Sequence, residues 1–271
     1  MTVHFTKMSG AGNDFIMIDN RAQRLALSQE VIAKWCQRGT GIGADGLILL
    51  EESDRCDFAM RYYNADGKLG SMCGNGGRCV TRFAQHRGIE KTQFAFEANG
   101  ELYRSEILSD GRVKLRMNPP KAFRDKFLVE GYEAYFIDTG SPHVIIYAPD
   151  VETLDVFGEG KKVRSNPAFF PNGANVNFLR VVAPDSIRIR TFERGVENET
   201  LACGTGCVAA ALVSHRLGKL RSRLANLLVQ SGETIQVEFD EAFENVFLIG
   251  SAEIVFEGYI QLSPRRSLST I

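Results

Sequence analysis

One local order of signals occurs twice in this chain. In the first half an alternating strand (residues 57–63) reaches the polar turn Asn64-Ala-Asp-Gly67, then Met72-Cys-Gly-Asn-Gly-Gly77, then a helical stretch. In the second half an alternating strand (residues 186–192) reaches Glu193-Arg-Gly195, then Ala202-Cys-Gly-Thr-Gly206, then another helical stretch. Period-two alternation marks strands with one buried face. The two cysteines, Cys73 and Cys203, stand 130 positions apart, so two similar halves facing each other would bring both thiols to one cleft.

The 271 residues allow one large domain or two of ordinary size, and the repeat favours two. Paired prolines interrupt a sheet ladder, which places the boundary near Asn118-Pro-Pro120. The division expected is residues 1–117 with Cys73 and residues 118–261 with Cys203, the last residues, about 262–271, returning to the first half. Further alternating segments (Phe58, Met60, Tyr62; Val113, Leu115, Met117; Ile235, Val237, Phe239) predict mostly antiparallel strands. Helices are expected after Ser28 as N-cap, from Gly74 to a stop at Gly88, and from Gly204 to Leu217. Residues 207–213, CVAAALV, are apolar on every side, so this helix must be enclosed, and strands wrapped round central helices give an α+β fold.

A formal net charge of -1 argues against nucleic acid or an anionic membrane and points to a small-molecule partner. No uncharged apolar run approaches the roughly 18 residues of a membrane span, and the amino terminus does not read as a signal peptide. A cytoplasmic location is expected, with six cysteines reduced rather than forming a disulfide framework.

A cysteine just ahead of a helix sits beside unpaired N–H groups at the positive end of the dipole, which favours its thiolate. Adjacent glycines let a ligand approach, and the N–H groups can hold a carboxylate or oxyanion. Two such cysteines on opposite sides of an amino-acid α-carbon would remove a proton from one face and deliver one to the other. Like-charge repulsion would keep one sulfur protonated. A zinc site is disfavoured by the spacings Cys73-x5-Cys79 and Cys203-x3-Cys207. Cys36, Cys56, Cys79 and Cys207 read as packing residues. A zinc- or redox-binding module remains the nonenzymatic alternative.

The strings GAGNDF (residues 10–15), NADG (64–67), MCGNGGRC (72–79), PNGANVNF (171–178), ERGVENETLACGTG (193–206) and SAEIVFEGYI (251–260) resemble the diaminopimelate epimerases over essentially the whole chain. The resemblance implies two pseudo-symmetric halves, each a mostly antiparallel barrel-like sheet around a central helix, with the site between them. It also implies interconversion of LL- and meso-diaminopimelate without cofactor or metal, for lysine and cell-wall synthesis. Under it Cys73 and Cys203 are the acid and base, with His143 and Glu193 as auxiliary polar residues flanking the thiols. Gly74, Asn75, Gly204 and Thr205 would bind the reacting carboxylate. Asn13, Asn64, Asn175, Glu193 and Arg194 would hold the remainder, Arg194 suiting a distal carboxylate through paired hydrogen bonds.

Two positions depart from the family pattern. Ser141 stands where many members have Asn, and Gly46 where some have Gln, which touches the contacts to the reacting amine. A related two-cysteine racemase acting on proline, histidine or another amino acid is the competing enzyme reading. The sequence leaves open whether the molecule is a monomer or a homodimer, and which thiol serves which stereoisomer.

Overall fold

A computed structural model describes residues 1–23, 25–167 and 170–262. Its strands form one continuous sheet that passes through both halves of the molecule. In the first half the spatial order is Glu253–Gln261, Thr2–Gly10, Asn13–Asp19, Gly46–Glu51, Phe58–Asn64, Gln93–Ala98, Glu101–Ile107 and Val113–Met117. In the second it is Lys121–Val129, Tyr132–Asp138, Pro142–Tyr147, Asn175–Ala183, Ser186–Glu193, Leu224–Leu228, Thr234–Phe239 and Val246–Gly250. Read along these orders, antiparallel and parallel pairings alternate identically, each half having parallel neighbours at its third and fifth steps. The halves join edge to edge where Val113–Met117 runs antiparallel to Val246–Gly250.

The parallel steps have a simple cause. Parallel neighbours need a long crossover, and helices fill it. Helix α1 (Gln29–Cys36) and helix α3 (Val156–Arg164) occupy one pair of equivalent crossovers, α2 (Gly74–His86) and α4 (Gly204–Arg216) the other. Ser28 caps α1 by accepting from the Val31 N–H, as the sequence indicates. Helix α3 has no counterpart in the sequence reading. It is short and glycine-containing, and starts where Asp155 accepts from the Gly158 N–H at 2.9 Å.

Helices α2 and α4 run inside the curled strands of their halves. Every residue of α4 from Gly206 to Ser214 is buried, which satisfies an apolar surface lacking a polar face. The largest apolar cluster includes Val80 and Phe83 of α2, Val208 and Leu212 of α4, and Leu115 and Leu248 at the junction, so one core spans both halves. On α2 the guanidinium of Arg78 is fully buried, its Nε donating to Ser251 O at 3.2 Å.

One boundary requires correction. The strand Glu253–Gln261, assigned from sequence to the second half, pairs along Thr2–Gly10 of the first. The return therefore starts some ten residues before the expected 262. Its reason is the hydrogen-bonding edge of Thr2–Gly10, which the hairpin Lys121–Val129 with Tyr132–Asp138 supplies locally in the second half but no neighbouring segment supplies in the first. Leu262 continues the return, its N–H donating to Met1 O at 2.8 Å; residues 263–271 lie outside the described residues.

Candidate active site

Both Cys-Gly-x-Gly turns occupy the step from an inner strand to a central helix. Cys73 is the N-cap of α2, with extended φ -106° and ψ 123°, its Sγ accepting from the Gly76 N–H at 3.5 Å. Cys203 heads α4 with the matching φ -116° and ψ 107°, and no side-chain cap bond. The turns touch each other. Asn75 Nδ2 donates across the junction to Ala202 O at 3.1 Å. A Cβ on Gly74 would lie 2.7 Å from Leu248 Cδ2, and one on Gly204 would lie 2.8 Å from the same methyl. A side chain on either glycine would push against this one methyl, and both helix N-termini converge on one point.

The surroundings of the sulfurs differ. Cys73 Sγ lies 3.7 Å from Asn13 Oδ1, which also accepts from Asn75 Nδ2 at 3.3 Å. Asn13 Nδ2 in turn donates to Asp45 at 2.7 Å. Cys203 Sγ lies 3.6 Å from Thr205 Oγ1, which is 2.9 Å from His143 Nε2 and 3.2 Å from Ser141 Oγ. The Glu193 carboxyl bears on the Cys203 sulfur through its charge, and its Oε2 accepts from Thr200 Oγ1 at 2.9 Å.

Burial dominates the ionisation of this cleft. It pushes the Cys73 thiol up to about 11, with the Gly76 N–H and the buried Arg78 charge pulling the other way. It carries Cys203 well above its ordinary value, and the Glu193 charge adds to that. The thiolate favoured on helix-terminus grounds is therefore outweighed by burial, because removing a sulfur anion from water costs more than a few N–H groups return. Glu193 is itself raised by burial. His143 is driven down to about 3 by burial and by Arg194, so the ring is neutral. Three titratable groups thus lie within one desolvated cluster, while amide N–H groups stand ready for an anion.

The other sequence candidates are distributed round this cluster. Asn175 is buried; its Nδ2 donates to Pro142 O at 3.2 Å and its Oδ1 accepts from the Arg194 N–H at 2.9 Å. The Arg194 guanidinium reaches only Asn172 O at 3.4 Å and Gly173 O at 3.5 Å, and has no carboxylate partner among the described residues. Asn64 is exposed at the end of Phe58–Asn64, paired with Gly46. Asn75 Oδ1 is buried with no partner among the described residues, an acceptor left open inside the cleft. Cys79 and Cys207 are buried in the core and held up to about 12, as is Cys36, which fits packing roles; Cys56 is only half-buried, bonded to Ser53 and Phe58. All six cysteines are free.

Sequence reasoning missed three residues. Tyr62 places its ring 2.5 Å from where a Gly46 Cβ would be, so this glycine makes room for an aromatic beside Cys73 and Glu193. Its strand alternation signalled an inward side chain but not its neighbours. Asn177 contacts His143 Nδ1 at 3.1 Å, and its place two residues beyond Asn175 in PNGANVNF put it on the same strand face. Leu248, at the meeting of the turns, has no local signal.

The chain matches the diaminopimelate epimerase family over residues 5–123 and 135–255. It belongs to that family. A diaminopimelate epimerase of Chlorobaculum tepidum is 53% identical over 257 residues, covering 94% of this chain and 100% of the relative. One from Aquifex aeolicus is 42% identical, covering 94% and 97%. Among solved structures, a probable proline racemase from Agrobacterium radiobacter aligns with a TM-score of 0.74 at 15% identity, covering 98% of this chain and 94% of that one. A phenazine biosynthesis protein of the PhzF family from Bacillus anthracis aligns at 0.71 and 17% identity, covering 97% and 100%. These two share the fold. In this chain Ser141 Oγ lies 3.0 Å from His143 Nε2, and Gly46 faces the Tyr62 ring.

Proposed function

We propose that this protein is an isomerase interconverting LL- and meso-2,6-diaminopimelate, with Cys73 and Cys203 as opposed acid and base. The observation that carries the reading is the meeting of two cysteine-capped helix N-termini at Leu248, in a member of the diaminopimelate epimerase family. The reacting carboxylate sits between the turns, taking N–H groups of Gly74, Asn75, Gly204 and Thr205, where both helix dipoles favour negative charge. Arg194, free of carboxylate partners among the described residues, takes the distal carboxylate. Asn13, Asn64, Asn175 and Glu193 hold the amino groups and the remaining oxygens.

The chemistry is a proton exchange that conserves charge. A thiolate on one face forms an S–H bond with the α-hydrogen as the C–H bond breaks, and the electron pair spreads into the carboxylate. The opposite S–H bond then breaks, its proton forms the new C–H bond, and the second sulfur becomes the thiolate. The N–H groups that hold the carboxylate also hold this developing charge, the larger catalytic contribution. Glu193, whose carboxyl bears on Cys203, provides a place for the S–H proton when Cys203 starts as base. Substrate ammonium beside Glu193 brings a positive charge near the sulfurs and offsets part of the cost that burial places on a thiolate. No cofactor or metal has a part in this scheme.

Among the described residues no helix is long and apolar enough to cross a membrane. The location we propose is the cytoplasm and the partner a small amino acid. The edge strand Glu253–Gln261, with Val255 58% and Tyr259 74% exposed, supports a homodimer through that edge. Incubation with LL-diaminopimelate and no added cofactor tests the activity: formation of the meso isomer is expected, and its absence under conditions where the protein stays folded contradicts it.

A further inference from the structure

At equivalent places the two halves put different chemistry beneath their turns. In the first half Phe15 pairs beside Gly46, and Ile48 follows two residues on; in the second His143 pairs beside Asn175, and Asn177 follows two residues on. All four side chains are fully buried. An apolar pair lies under Cys73 and a polar pair under Cys203. Buried polar groups cost stability unless fully paired, so the second arrangement calls for a physical reason.

Hydrogen-bond direction supplies it. The Val144 carbonyl can only accept, so the Asn177 group 3.0 Å from it is the NH2, while Asn177 Oδ1 accepts from Thr191 Oγ1 at 3.0 Å. This fixes which way the amide faces. Gly206 leaves room for it, since a Cβ there would lie 2.4 Å from Asn177 Oδ1. The second amide hydrogen points at His143 Nδ1, 3.1 Å away, and that nitrogen must carry a lone pair. A neutral ring then has its hydrogen on Nε2, facing Thr205 Oγ1 at 2.9 Å and Ser141 Oγ at 3.0 Å. The Asn175 amide, 3.5 Å from Nε2, has its own acceptors in Pro142 O at 3.2 Å and Ser141 Oγ at 3.3 Å. Thr205, accepting from the ring, keeps its hydroxyl hydrogen for Cys203 Sγ at 3.6 Å.

We infer that Asn177 is a positioning residue that locks His143 in the Nε2–H tautomer, so that an ordered chain from Asn177 through His143 and Thr205 ends in a hydrogen bond donated to the Cys203 sulfur. The chain transfers no proton. It favours the Cys203 thiolate whenever Glu193 or substrate removes the S–H, a stabilisation Cys73 obtains instead from the Gly76 N–H. Its catalytic consequence rests on the reading of Cys203 as acid and base, whereas the tautomer does not.

The test is two-bond nitrogen–proton correlation on the wild-type protein labelled at its four histidines, His143 being assigned by the signal lost in His143→Gln. A bare Nδ1 and protonated Nε2 are expected in the neutral range; Nδ1–H, or a ring protonated at both nitrogens, overturns the inference. Asn177→Asp presents only acceptors to Nδ1 and should flip the tautomer, obliging Thr205 to donate to Nε2 and withdraw from Cys203. Alkylation of Cys203 should then slow by about 10-fold or more, the loss of one hydrogen bond to a charged group. Arg194 toward His143 and Glu193 toward Cys203 are unchanged in that variant, but its new carboxylate adds a negative charge that by itself slows alkylation, so Thr205→Val, which adds no charge, must show the same slowing. A flipped ring with unaltered Cys203 alkylation overturns the chain. Should Asn177→Asp fail to fold, Thr205→Val must reproduce the slowed alkylation and Thr205→Ser restore it; equal rates in both contradict the proposal. Loss of epimerisation plays no part in these readings, so failure of the proposed activity would show separately.

Discussion

The two Cys-Gly-x-Gly turns share backbone, helix and sheet position, yet Cys73 sits among amides and Cys203 among titratable groups. Asn13 and Asn75 flank the first sulfur; Glu193 bears on the second through its charge, and His143 reaches it through Thr205. Duplication of a fold therefore delivers two symmetric positions, and the side chains beneath them make the two thiols inequivalent. A two-base inversion benefits from this, because the substrate's own faces are inequivalent once its distal end is fixed.

The strongest way to break the comparison is to remove either sulfur. Cys73→Ala and Cys203→Ala should each lower turnover by at least about 1,000-fold, within the range of positioned acid–base groups, while circular dichroism stays that of the wild type. Wild-type turnover in one of them would mean that a single thiol suffices. Arg194→Met removes charge-assisted hydrogen bonds to the distal carboxylate and should lower kcat/KM by about 100-fold, chiefly through KM. An unchanged KM would place the distal end elsewhere.

Smaller effects sharpen the symmetry. Gly74→Ala and Gly204→Ala each drive a methyl against Leu248, and denaturant titration should show about 1–3 kcal/mol of lost stability in both, as overpacking produces. Relief of both by Leu248→Ala would verify the shared contact, and relief of one alone would refute it. Acid should expose the asymmetry. His143 has a depressed folded value of about 3, so its contribution is fully present above the unfolded value near 6.5 and is lost as pH falls toward 3. Between neutrality and about pH 5 it should remove about 2 kcal/mol, and His143→Gln should flatten that slope. Phe15 occupies the equivalent place in the first half, so hydrogen exchange on acidification should rise along Pro142–Tyr147 before Asn13–Asp19. The reverse order would contradict the assignment.

Much of this architecture was legible because its signals are local. Strand alternation, the cap at Ser28 and the all-apolar run of α4 each state a burial pattern that the fold must satisfy. The repeat of the cysteine turns then tied two distant segments together, and the structure has both turns meeting at Leu248. What escaped was set by contacts between segments. The return of Glu253–Gln261 depends on a vacant edge 250 residues away in sequence, and the roles of Tyr62 and Asn177 depend on what lies across the strand or under the turn. The ionisation of the thiols escaped for the same reason: the helix terminus is visible in sequence, but the burial that opposes it is a property of the assembled halves.

Early-time isotope labelling of LL-diaminopimelate in deuterated water probes the opposed sulfurs most directly. If each sulfur serves one face, the meso product carries solvent deuterium at its inverted α-carbon, while recovered LL substrate retains protium, because the thiol that took the hydrogen returns it. Deuterium appearing in recovered substrate as fast as in product would mean one exchanging base serving both faces, and the paired-turn account would fail.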